Sequence, residues 1–495
     1  MLNKFKIVGV IGAGTMGIGI AEVAASHGHQ VFLFDLNHEF ANSAKLTMTK
    51  RLLSRVERGK IKPEFRQQII DKIVVVKDLN QLSNCQLVIE AIVENLEIKQ
   101  SLFKDLEELC KENTLFASNT SSISITAIAS ALVNPENMIG LHFFNPAPVM
   151  KLVEVVAGLR SSQTSLNDGI ALCDFWRKTA VLAKSSPGFI VNRVARPFYG
   201  EALKMLQEQV SNPQTMDALM TSAGFRMGPF TLMDLIGMDI NLSVSETVFK
   251  SMYYDARYRP SLIQSEMVSA NLLGKKTGEG FYQYDGSEKP PVDYQVQQKA
   301  PKFVSLSKEI TPLYSIEQAI KSSKYFVATE HEGSPSIQVG ECAIYLSNGQ
   351  TCDQRVKFIN QNYLAQVDLM LEYKQCPIIH ISFDSQCPVD TKNHIIGMFQ
   401  VLNKQVLVCQ DLPALVVMRT VCLLINEAAD VIENGVCSEN DVDLAMQKGV
   451  NYPIGLIAWA HKIGFEQVVE TLDNLHQWFG DDRYRVSPWL RKHSN

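Results

Sequence analysis

The sequence predicts an α/β domain with a doubly wound, mostly parallel sheet, then an all-α domain, a reduced α/β segment and a second all-α domain. Two observations support this prediction. From residue 1 to about 185, short apolar runs alternate with helical patterns, which is typical of a sheet that is covered on both faces. Beyond residue 410, the chain repeats the helical pattern of residues 188–284, which indicates a duplicated domain.

The apolar runs of the first segment predict eight strands, at residues 6–11, 31–35, 73–76, 87–91, 115–117, 138–142, 151–156 and 180–183. Helical patterns lie between them, notably at residues 17–28, 38–60, 96–111 and 164–177. In the third segment we predict strands at residues 325–329, 337–346, 377–383, 395–402 and 405–409, without a glycine loop for a nucleotide. We place the domains at residues 1–186, 187–285, 300–410 and 411–495.

The composition is that of an ordinary globular protein, with 46% hydrophobic and 20% charged residues. A net charge of −5 gives no support to nucleic-acid binding, and no apolar run is long enough to cross a membrane. Ten cysteines are scattered without a zinc or disulfide spacing, and no secretory signal opens the chain. We therefore expect a cytoplasmic protein without a structural metal.

A glycine-rich turn follows the first predicted strand. Gly12, Gly14 and Gly17 match G-x-G-x-x-G, with Thr15 and Met16 between the last two glycines. The first glycine allows a tight turn, the second lets a pyrophosphate approach the backbone, and the third lets helix and strand pack closely. The following helix offers free N–H groups to the phosphates. The turn therefore predicts a dinucleotide-binding Rossmann domain.

The second predicted strand ends in Asp35, at the distance expected for the acid that binds the adenosine ribose. Leu36, Asn37 and His38 follow it, and none of them is an arginine that would pair with a 2′-phosphate. The pattern therefore favours NAD over NADP.

His142 ends a predicted strand, and in an open α/β sheet ligands collect at the carboxyl ends of strands. Glu154 lies inside another apolar strand, where a carboxylate is costly to bury without a partner. A histidine–glutamate pair would remove that cost and form a general base with a defined tautomer. The alternatives are a core histidine with satisfied hydrogen bonds and a glutamate at an exposed strand edge.

Polar residues 118–122 follow another predicted strand, so the Ser121 hydroxyl is expected at the same edge of the sheet. Helix capping is the alternative for this stretch. Asn192 begins the helical domain and is expected to face a cleft between domains.

The duplicated helical domain aligns residues 187–193 with residues 413–419, and the same shift relates Glu201 to Glu427. It also aligns the segment Arg-Tyr-Arg of residues 257–259 with residues 483–485. Asn192 of the first copy is Met418 in the second. If Asn192 takes part in the reaction, the second copy cannot do so. We expect the two copies to pair within one chain, and a homo-oligomer is also possible.

Five motifs together resemble the 3-hydroxyacyl-CoA dehydrogenases: Ser-Asn-Thr-Ser-Ser (118–122), His-Phe-Phe-Asn-Pro (142–146), Lys-Leu-Val-Glu-Val (151–155), Pro-Gly-Phe-Ile-Val-Asn-Arg (187–193) and Gly-Lys-Lys-Thr-Gly-Glu-Gly-Phe-Tyr (274–282). The resemblance covers residues 1–284 strongly and residues 410–495 more distantly. The whole arrangement is similar to the longer bacterial enzymes, which have a reduced Rossmann segment and a second C-terminal domain. Several of those are 3-hydroxyadipyl-CoA dehydrogenases of phenylacetate catabolism, and others are 3-hydroxybutyryl-CoA dehydrogenases.

This resemblance implies that His142 is the general base and Glu154 its orienting partner, and that Ser121 and Asn192 bind the hydroxyl or carbonyl region of the substrate. It implies that NAD contacts Asp35, Glu94, Lys99, Ser121 and one of Lys275 and Lys276, of which we select Lys276, in addition to the glycine-rich turn. It also implies that Ser43, Lys50 and Ser121 contact the acyl-CoA, which agrees with the many basic residues between Lys45 and Lys62.

The expected reaction is NAD-dependent oxidation of a (3S)-3-hydroxyacyl-CoA to a 3-oxoacyl-CoA, with 3-hydroxyadipyl-CoA as the first candidate substrate. The alternatives are 3-hydroxybutyryl-CoA and, remotely, a non-enzymatic structural protein. Dehydrogenases of the phosphogluconate type share the layout but use a catalytic lysine, and the histidine–glutamate pair argues against them. Four arginines are candidates for binding a distal carboxylate, and the sequence does not choose among Arg196, Arg226, Arg257 and Arg259.

Overall fold

The computed structural model describes residues 1, 4–309, 312–332, 337–359 and 361–494. The chain forms two compact units. The first comprises Met1–Arg193 and Asn434–Val450, and the second comprises Val194–Glu433 and Asn451–Asn495. No helix within the described ranges has the length and hydropathy of a membrane-spanning segment.

The first unit is built on an eight-stranded sheet with the order β3-β2-β1-β4-β5-β6-β7-β8. Its strands are β1 Ile7–Ile11, β2 Gln30–Phe34, β3 Ile73–Val76, β4 Leu87–Glu90, β5 Leu115–Ser118, β6 Met138–Phe143, β7 Leu152–Ala157 and β8 Thr179–Lys184. All neighbouring strands run parallel except β6 and β7, which are antiparallel. The predicted doubly wound α/β sheet is confirmed, since every predicted strand of this segment is present.

Helices cover the faces of this sheet, as the alternation of strands and helices predicts. They are α1 Thr15–Ser26, α2 His38–Glu57, α3 Pro63–Lys72, α4 Leu96–Leu109, α5 Ile125–Ala129, α6 Gln163–Phe175 and the single turn α7 Val191–Val194. The predicted helix over residues 38–60 ends at Glu57, because Gly59 has a positive φ of 67° and Pro63 begins the next helix.

The second unit contains the first copy of the helical domain and a second sheet. The helices are α8 Arg196–Gln207, α9 Pro213–Ser222, α10 Pro229–Ile236, α11 Met238–Ser251 and α12 Leu262–Ser269. The sheet has the order β10-β9-β11-β12-β13-β14-β15 and mixes parallel and antiparallel pairs. Its strands are β9 Phe303–Ser307, β10 Val327–His331, β11 Ile337–Val339, β12 Cys342–Leu346, β13 Tyr363–Val367, β14 Ile378–Phe383 and β15 Gln405–Val408.

Several details of this segment differ from the prediction, which did not include strands β9 and β13. Residues 395–402, predicted as a strand, belong mostly to helix α15 (Val389–Val401), which follows α13 (Tyr314–Lys321) and α14 (Cys352–Arg355). The prediction was wrong because a short buried apolar run has no periodicity that separates a strand from a buried helix. The single predicted strand over 337–346 is the antiparallel pair β11 and β12, with a turn at Gly340.

The second helical copy contains α16 Val416–Glu433, α17 Glu439–Gly449, α18 Leu456–Ile463, α19 Phe465–Phe479 and α20 Pro488–His493. Helix α17 belongs to the first unit, where it packs against β7 and β8. The backbone N–H of Lys184 donates to the carbonyl of Val436 at 2.8 Å. The second copy therefore supplies part of the core beside the first sheet.

Within the second unit, the two helical copies contact each other reciprocally. The Tyr258 hydroxyl donates to Glu427 of the second copy at 2.6 Å, and the Tyr484 hydroxyl donates to Glu201 of the first copy at the same distance. Arg419 forms a buried ion pair with Glu201. Such mutual contacts have the form of an isologous dimer interface, here made by a duplicated sequence in one chain.

Candidate active site

The glycine-rich turn has the geometry that a pyrophosphate requires. Gly12 has a φ of 93°, and a Cβ there would lie 2.4 Å from the Ala91 carbonyl oxygen. A Cβ on Gly17 would lie 1.8 Å from the Gly12 carbonyl oxygen, so only glycine allows this close packing of turn and helix. By contrast, a Cβ on Gly14 would meet nothing within 4 Å. Space is therefore open where the phosphates would approach, beside the start of α1 at Thr15.

Asp35 follows β2, and its carboxylate is held rigidly at the edge of this turn. One oxygen accepts the Ala13 N–H at 2.8 Å and the other accepts the Asn37 N–H at 2.9 Å. Each carboxylate oxygen has a further lone pair, which suits hydroxyl donors of a ribose.

His142 and Glu154 occupy directly opposed positions of the antiparallel strands β6 and β7. The His142 Nδ1 lies 2.6 Å from the Glu154 Oε2, and both residues are buried. The other Glu154 oxygen accepts the backbone N–H groups of Ile190 and Val191, each at 3.0 Å. The strand register thus explains why a histidine and a glutamate twelve residues apart form a pair.

The second ring nitrogen of His142 points to a hydroxyl group. Its Nε2 lies 3.0 Å from the Ser121 Oγ, and the ring packs against Phe144 and Phe189. Because Glu154 accepts the proton of Nδ1, Nε2 is left as the acceptor of the neutral imidazole. A substrate hydroxyl in this place would find a base whose tautomer and orientation are already set.

A buried network that the sequence analysis did not identify supports this edge of the sheet. Glu90, at the end of β4, accepts the Lys99 ammonium at 2.6 Å and the Ser118 hydroxyl at 2.6 Å. Asn119 accepts the Phe143 N–H at 2.8 Å, which fixes the backbone next to His142. A glutamate at the end of an apolar strand, followed nine residues later by a lysine, was the available signal.

Glu94 lies next to this network and binds the loop that carries Ser121. Its Oε1 accepts the Thr120 hydroxyl at 2.6 Å and the Ser121 and Ser122 N–H groups at 3.0 and 3.1 Å. Burial acts to raise the pKa of Glu94, but these hydrogen bonds and the Lys99 charge outweigh it and lower the pKa. The Lys99 side chain is only 1% exposed, and its ammonium forms ion pairs with both Glu90 and Glu94.

Asn192 lies in the single turn α7, directly after the two N–H groups that bind Glu154. In the described part of the chain, its side-chain amide has no hydrogen-bond partner and it is partly exposed. Ser43 and Lys50 are exposed on α2, and Lys276 of the second unit forms an ion pair with Asp239.

The second unit contains a buried pair that mirrors His142 and Glu154 with the residues exchanged. The two copies are related by a constant offset in residue number, which relates Glu201 to Glu427. The same offset relates His142 to Asp368 and Glu154 to His380. The His380 Nδ1 lies 3.0 Å from Asp368, which accepts the N–H groups at the start of α16. Met418 replaces the asparagine in this copy.

The pKa of His380 shows what this exchange does. Burial acts to lower the pKa of His380, but the neighbouring Cys409 and Asp368 outweigh it and raise the pKa to about 10. The imidazole therefore keeps its proton at neutral pH and is a poor general base.

A glycine-rich phosphate turn, an acid for the ribose and an oriented histidine at one sheet edge define a dinucleotide-dependent dehydrogenase. The first domain matches the 3-hydroxyacyl-CoA dehydrogenase NAD-binding domain over residues 7–186. The C-terminal domain of the same family matches residues 188–284 and 415–495. The 3-hydroxybutyryl-CoA dehydrogenase reduced Rossmann-fold domain matches residues 344–413.

Some relatives match almost the whole chain, and others match only its first part. The chain is 40% identical to the 3-hydroxyadipyl-CoA dehydrogenase of Escherichia coli K12, covering 99% of this chain and 98% of that relative. The crystal structure of an E. coli K12 3-hydroxybutyryl-CoA dehydrogenase has a TM-score of 0.90 at 40% identity, covering 99% of this chain and 98% of that one. The 3-hydroxybutyryl-CoA dehydrogenase of Clostridioides difficile is 39% identical over 56% of this chain and 98% of that relative.

The chain therefore belongs to the 3-hydroxyacyl-CoA dehydrogenase family, a family of oxidoreductases with NAD as cofactor. The predicted family, fold class, enzyme class and cofactor are confirmed.

Proposed function

We propose that this enzyme oxidises the C3 hydroxyl of (3S)-3-hydroxyadipyl-CoA to the 3-oxo product, as a step of phenylacetate catabolism. The observation that carries the chemistry is the hydrogen-bonded series Ser121–His142–Glu154. The choice of substrate is supported by the 40% identity to a 3-hydroxyadipyl-CoA dehydrogenase over the whole chain. The ten cysteines are free thiols, which supports a cytoplasmic location.

His142 is proposed to remove the proton of the C3 hydroxyl. Its Nε2 accepts this proton, and the Glu154 carboxylate, 2.6 Å from Nδ1, stabilises the imidazolium that forms. The Ser121 hydroxyl, 3.0 Å from the same nitrogen, donates a hydrogen bond to the oxygen as it becomes a carbonyl. Bound NAD supplies the hydride acceptor for the C3 hydrogen.

The other predicted residues have supporting parts in this proposal. The open amide of Asn192 would donate to the carbonyl region of the substrate. Glu94 would contact the cofactor, and Lys99 would act by holding Glu94 in place. Ser43 and Lys50 on the exposed face of α2 are proposed to bind the CoA, and Lys276 the cofactor.

The test is the appearance of NADH absorbance with 3-hydroxyadipyl-CoA and 3-hydroxybutyryl-CoA, measured side by side with the full-length protein. We expect the higher kcat/KM with the dicarboxylyl substrate. A higher kcat/KM with the butyryl substrate would contradict the substrate proposal while leaving the reaction intact. Turnover of neither would contradict the assignment of His142 and favour the non-enzymatic alternative.

The second candidate substrate is 3-hydroxybutyryl-CoA. It is favoured by the solved E. coli structure named as a 3-hydroxybutyryl-CoA dehydrogenase, which has a TM-score of 0.90. Short-chain fatty-acid or butanoate metabolism would then be the setting.

A further inference from the structure

A cavity of about 360 Å³ lies within the first unit. Residues of α1, α2, α3, the loop from β6 to β7 and the turn from α6 to β8 line it. We call it the basic cavity, and the polar residues that decide its charge are Glu22, Arg55, Lys151, Trp176, Arg177 and Lys178. Among these described lining residues, four cationic side chains accompany one carboxylate. Such an excess of positive charge in a concave surface favours an anion.

The carboxylate of the basic cavity already has partners. Glu22 forms an ion pair with Arg51 and lies 3.5 Å from the Arg55 guanidinium. Within the part of the chain that the structure describes, no carboxylate lies at ion-pair distance from the other three cations of the cavity. Their positive charge is therefore balanced by a ligand or left to solvent.

Lys178 is the buried cation of this set. Its Nζ donates to the backbone carbonyls of Ala147 and Met150, at 2.5 and 2.6 Å, in the loop between β6 and β7. An ammonium has three N–H donors, so a third is available to a ligand. Burial, reinforced by the neighbouring charge of Lys151, lowers the pKa of Lys178 to about 8. A bound anion would stabilise this ammonium, because it would bring a counter-charge to a group that has lost water.

Trp176 provides a second, independent observation at the same cavity. The residue is 1% exposed, and its indole Nε1 is buried without a hydrogen-bond partner among the described residues. The indole N–H is only a donor, so an acceptor atom is needed to satisfy it. Leaving a buried donor unpaired is costly, which favours a ligand that brings acceptor oxygens.

The charge and size of the basic cavity favour a phosphate group over a carboxylate. A phosphate group carries about 1.5 to 2 negative charges at neutral pH and has several acceptor oxygens. Donors from different side chains can therefore bind different oxygens of one tetrahedral group. A carboxylate has one negative charge and would leave most of the excess positive charge unbalanced. The cavity has room for a phosphate group together with several water molecules.

We infer that the basic cavity binds a phosphate group, with Trp176 and Lys178 as its buried donors and Arg177 as an exposed partner. The cavity is separate from the CoA contacts proposed above, because neither of the described residues Ser43 and Lys50 lines it. The inference goes beyond the proposed function and does not depend on it.

The main test measures the dissociation constant of inorganic phosphate by titration calorimetry at pH 7 and constant ionic strength, with the full-length protein and without substrate. In Trp176→Phe and Lys178→Met we expect this constant to rise by about 10- to 100-fold, the range for losing a hydrogen bond to a charged group. Arg177→Asn should weaken binding as well. It removes a charge and suits the left-handed backbone of this residue, whose φ is 54°. Arg160→Met removes an exposed arginine outside the cavity and should leave the constant unchanged.

The phosphate group could come from inorganic phosphate or from a nucleotide such as the tail of CoA, and adenosine 3′,5′-bisphosphate separates these sources. If the bisphosphate binds more tightly than inorganic phosphate and Lys178→Met weakens its binding, the cavity is kept and assigned to a nucleotide. If Lys178→Met weakens only inorganic phosphate, the cavity is assigned to free phosphate, and Lys50→Met should weaken the bisphosphate instead. Binding of both ligands that is absent from the wild type, or unchanged in Trp176→Phe and Lys178→Met, would overturn the inference.

Two controls keep the test decisive. If Lys178→Met does not fold because two loop carbonyls lose their donor, Trp176→Phe and Arg177→Asn give the result, and Trp176→Phe keeps an aromatic ring in the core. Acetate at the same ionic strength measures the general effect of anions. Acetate binding that equals phosphate binding, with the same loss in the variants, would overturn the assignment to a phosphate group.

Discussion

The two units each contain a buried histidine–carboxylate pair between antiparallel strands, but only the pair of the first unit has the arrangement of a base. In the first unit, the imidazole is on β6 and reaches Ser121, while the carboxylate on β7 receives the N–H groups before α7. In the second unit, a carboxylate holds the start of α16 from the position that corresponds to His142. A buried histidine–carboxylate pair can therefore support a fold without having the arrangement of a general base.

Exchanging the two residues changes the chemistry because the positions are not equivalent. In the first unit, the position of His142 faces the Ser121 hydroxyl. A carboxylate in this position, as in the second unit, would not provide the base with a defined tautomer that His142 provides. In the second unit, Cys409 and Asp368 raise the pKa of His380 to about 10, which favours an imidazolium hydrogen-bonded to Asp368. Its role is to neutralise a buried carboxylate, which would be costly alone.

The largest effect is expected for His142→Gln, paired with His380→Gln as its matched control. His142→Gln should lower kcat by about 10²- to 10⁴-fold, the contribution of a general base, while NAD binding persists. His380→Gln should leave kcat unchanged. Steady-state kinetics and NAD titration check both variants, and a comparable loss of kcat in His380→Gln would contradict the division of roles.

Asn192→Met gives the first copy of the helical domain the residue type that the second copy has at the corresponding position, Met418. We expect about a 100-fold loss of kcat, since the variant removes the amide that is proposed to donate to the carbonyl region of the substrate. The reciprocal Met418→Asn places an amide in a buried position of α16 and should affect stability only. Near-normal kcat in Asn192→Met would show that the amide is not needed for the reaction.

Asp368→Asn tests whether the second pair is structural. The free energy of unfolding should fall by about 3 kcal/mol, because the variant breaks a buried ion pair that also holds two N–H groups of α16. Urea denaturation measures this loss, and kcat/KM of the folded variant should stay at the wild-type value. Glu154→Gln is the matched variant of the first unit and should lower both stability and kcat.

The smallest expected effect is a pH-dependent change in the free energy of unfolding, caused by a substitution at the contact between the two helical copies. Burial acts to raise the pKa of Glu201, but Arg419 and Arg483 outweigh it and lower the pKa. A carboxylate with a lowered folded-state pKa stabilises the protein above its unfolded pKa of about 4.3, and this stability is lost as the pH falls through the folded value. Glu201→Gln should therefore cost about 2 kcal/mol at pH 7.

This difference should start to shrink as the pH falls below about 4.3, where the glutamate of the unfolded chain takes up a proton, and it should vanish only below the lowered pKa of Glu201 in the folded protein. Urea denaturation of both proteins between pH 3 and pH 7 provides the measurement. A difference that does not change across this range would contradict the lowered pKa of Glu201.

The first sheet and the NAD cofactor could be predicted from the amino-acid sequence alone, because each rests on a local pattern. Gly12 and Gly17 can only be glycine for steric reasons, and continuous apolar runs define the strands. His142 and Glu154 could be paired because each was chemically out of place in an apolar strand.

Features that depend on contacts between distant segments could be recognised only from the tertiary structure. The exchange of His142 and Glu154 for Asp368 and His380 became visible only once strand register paired the second set, since neither residue repeats its counterpart's type. The helix at residues 389–401 was settled by burial against the second sheet and not by periodicity.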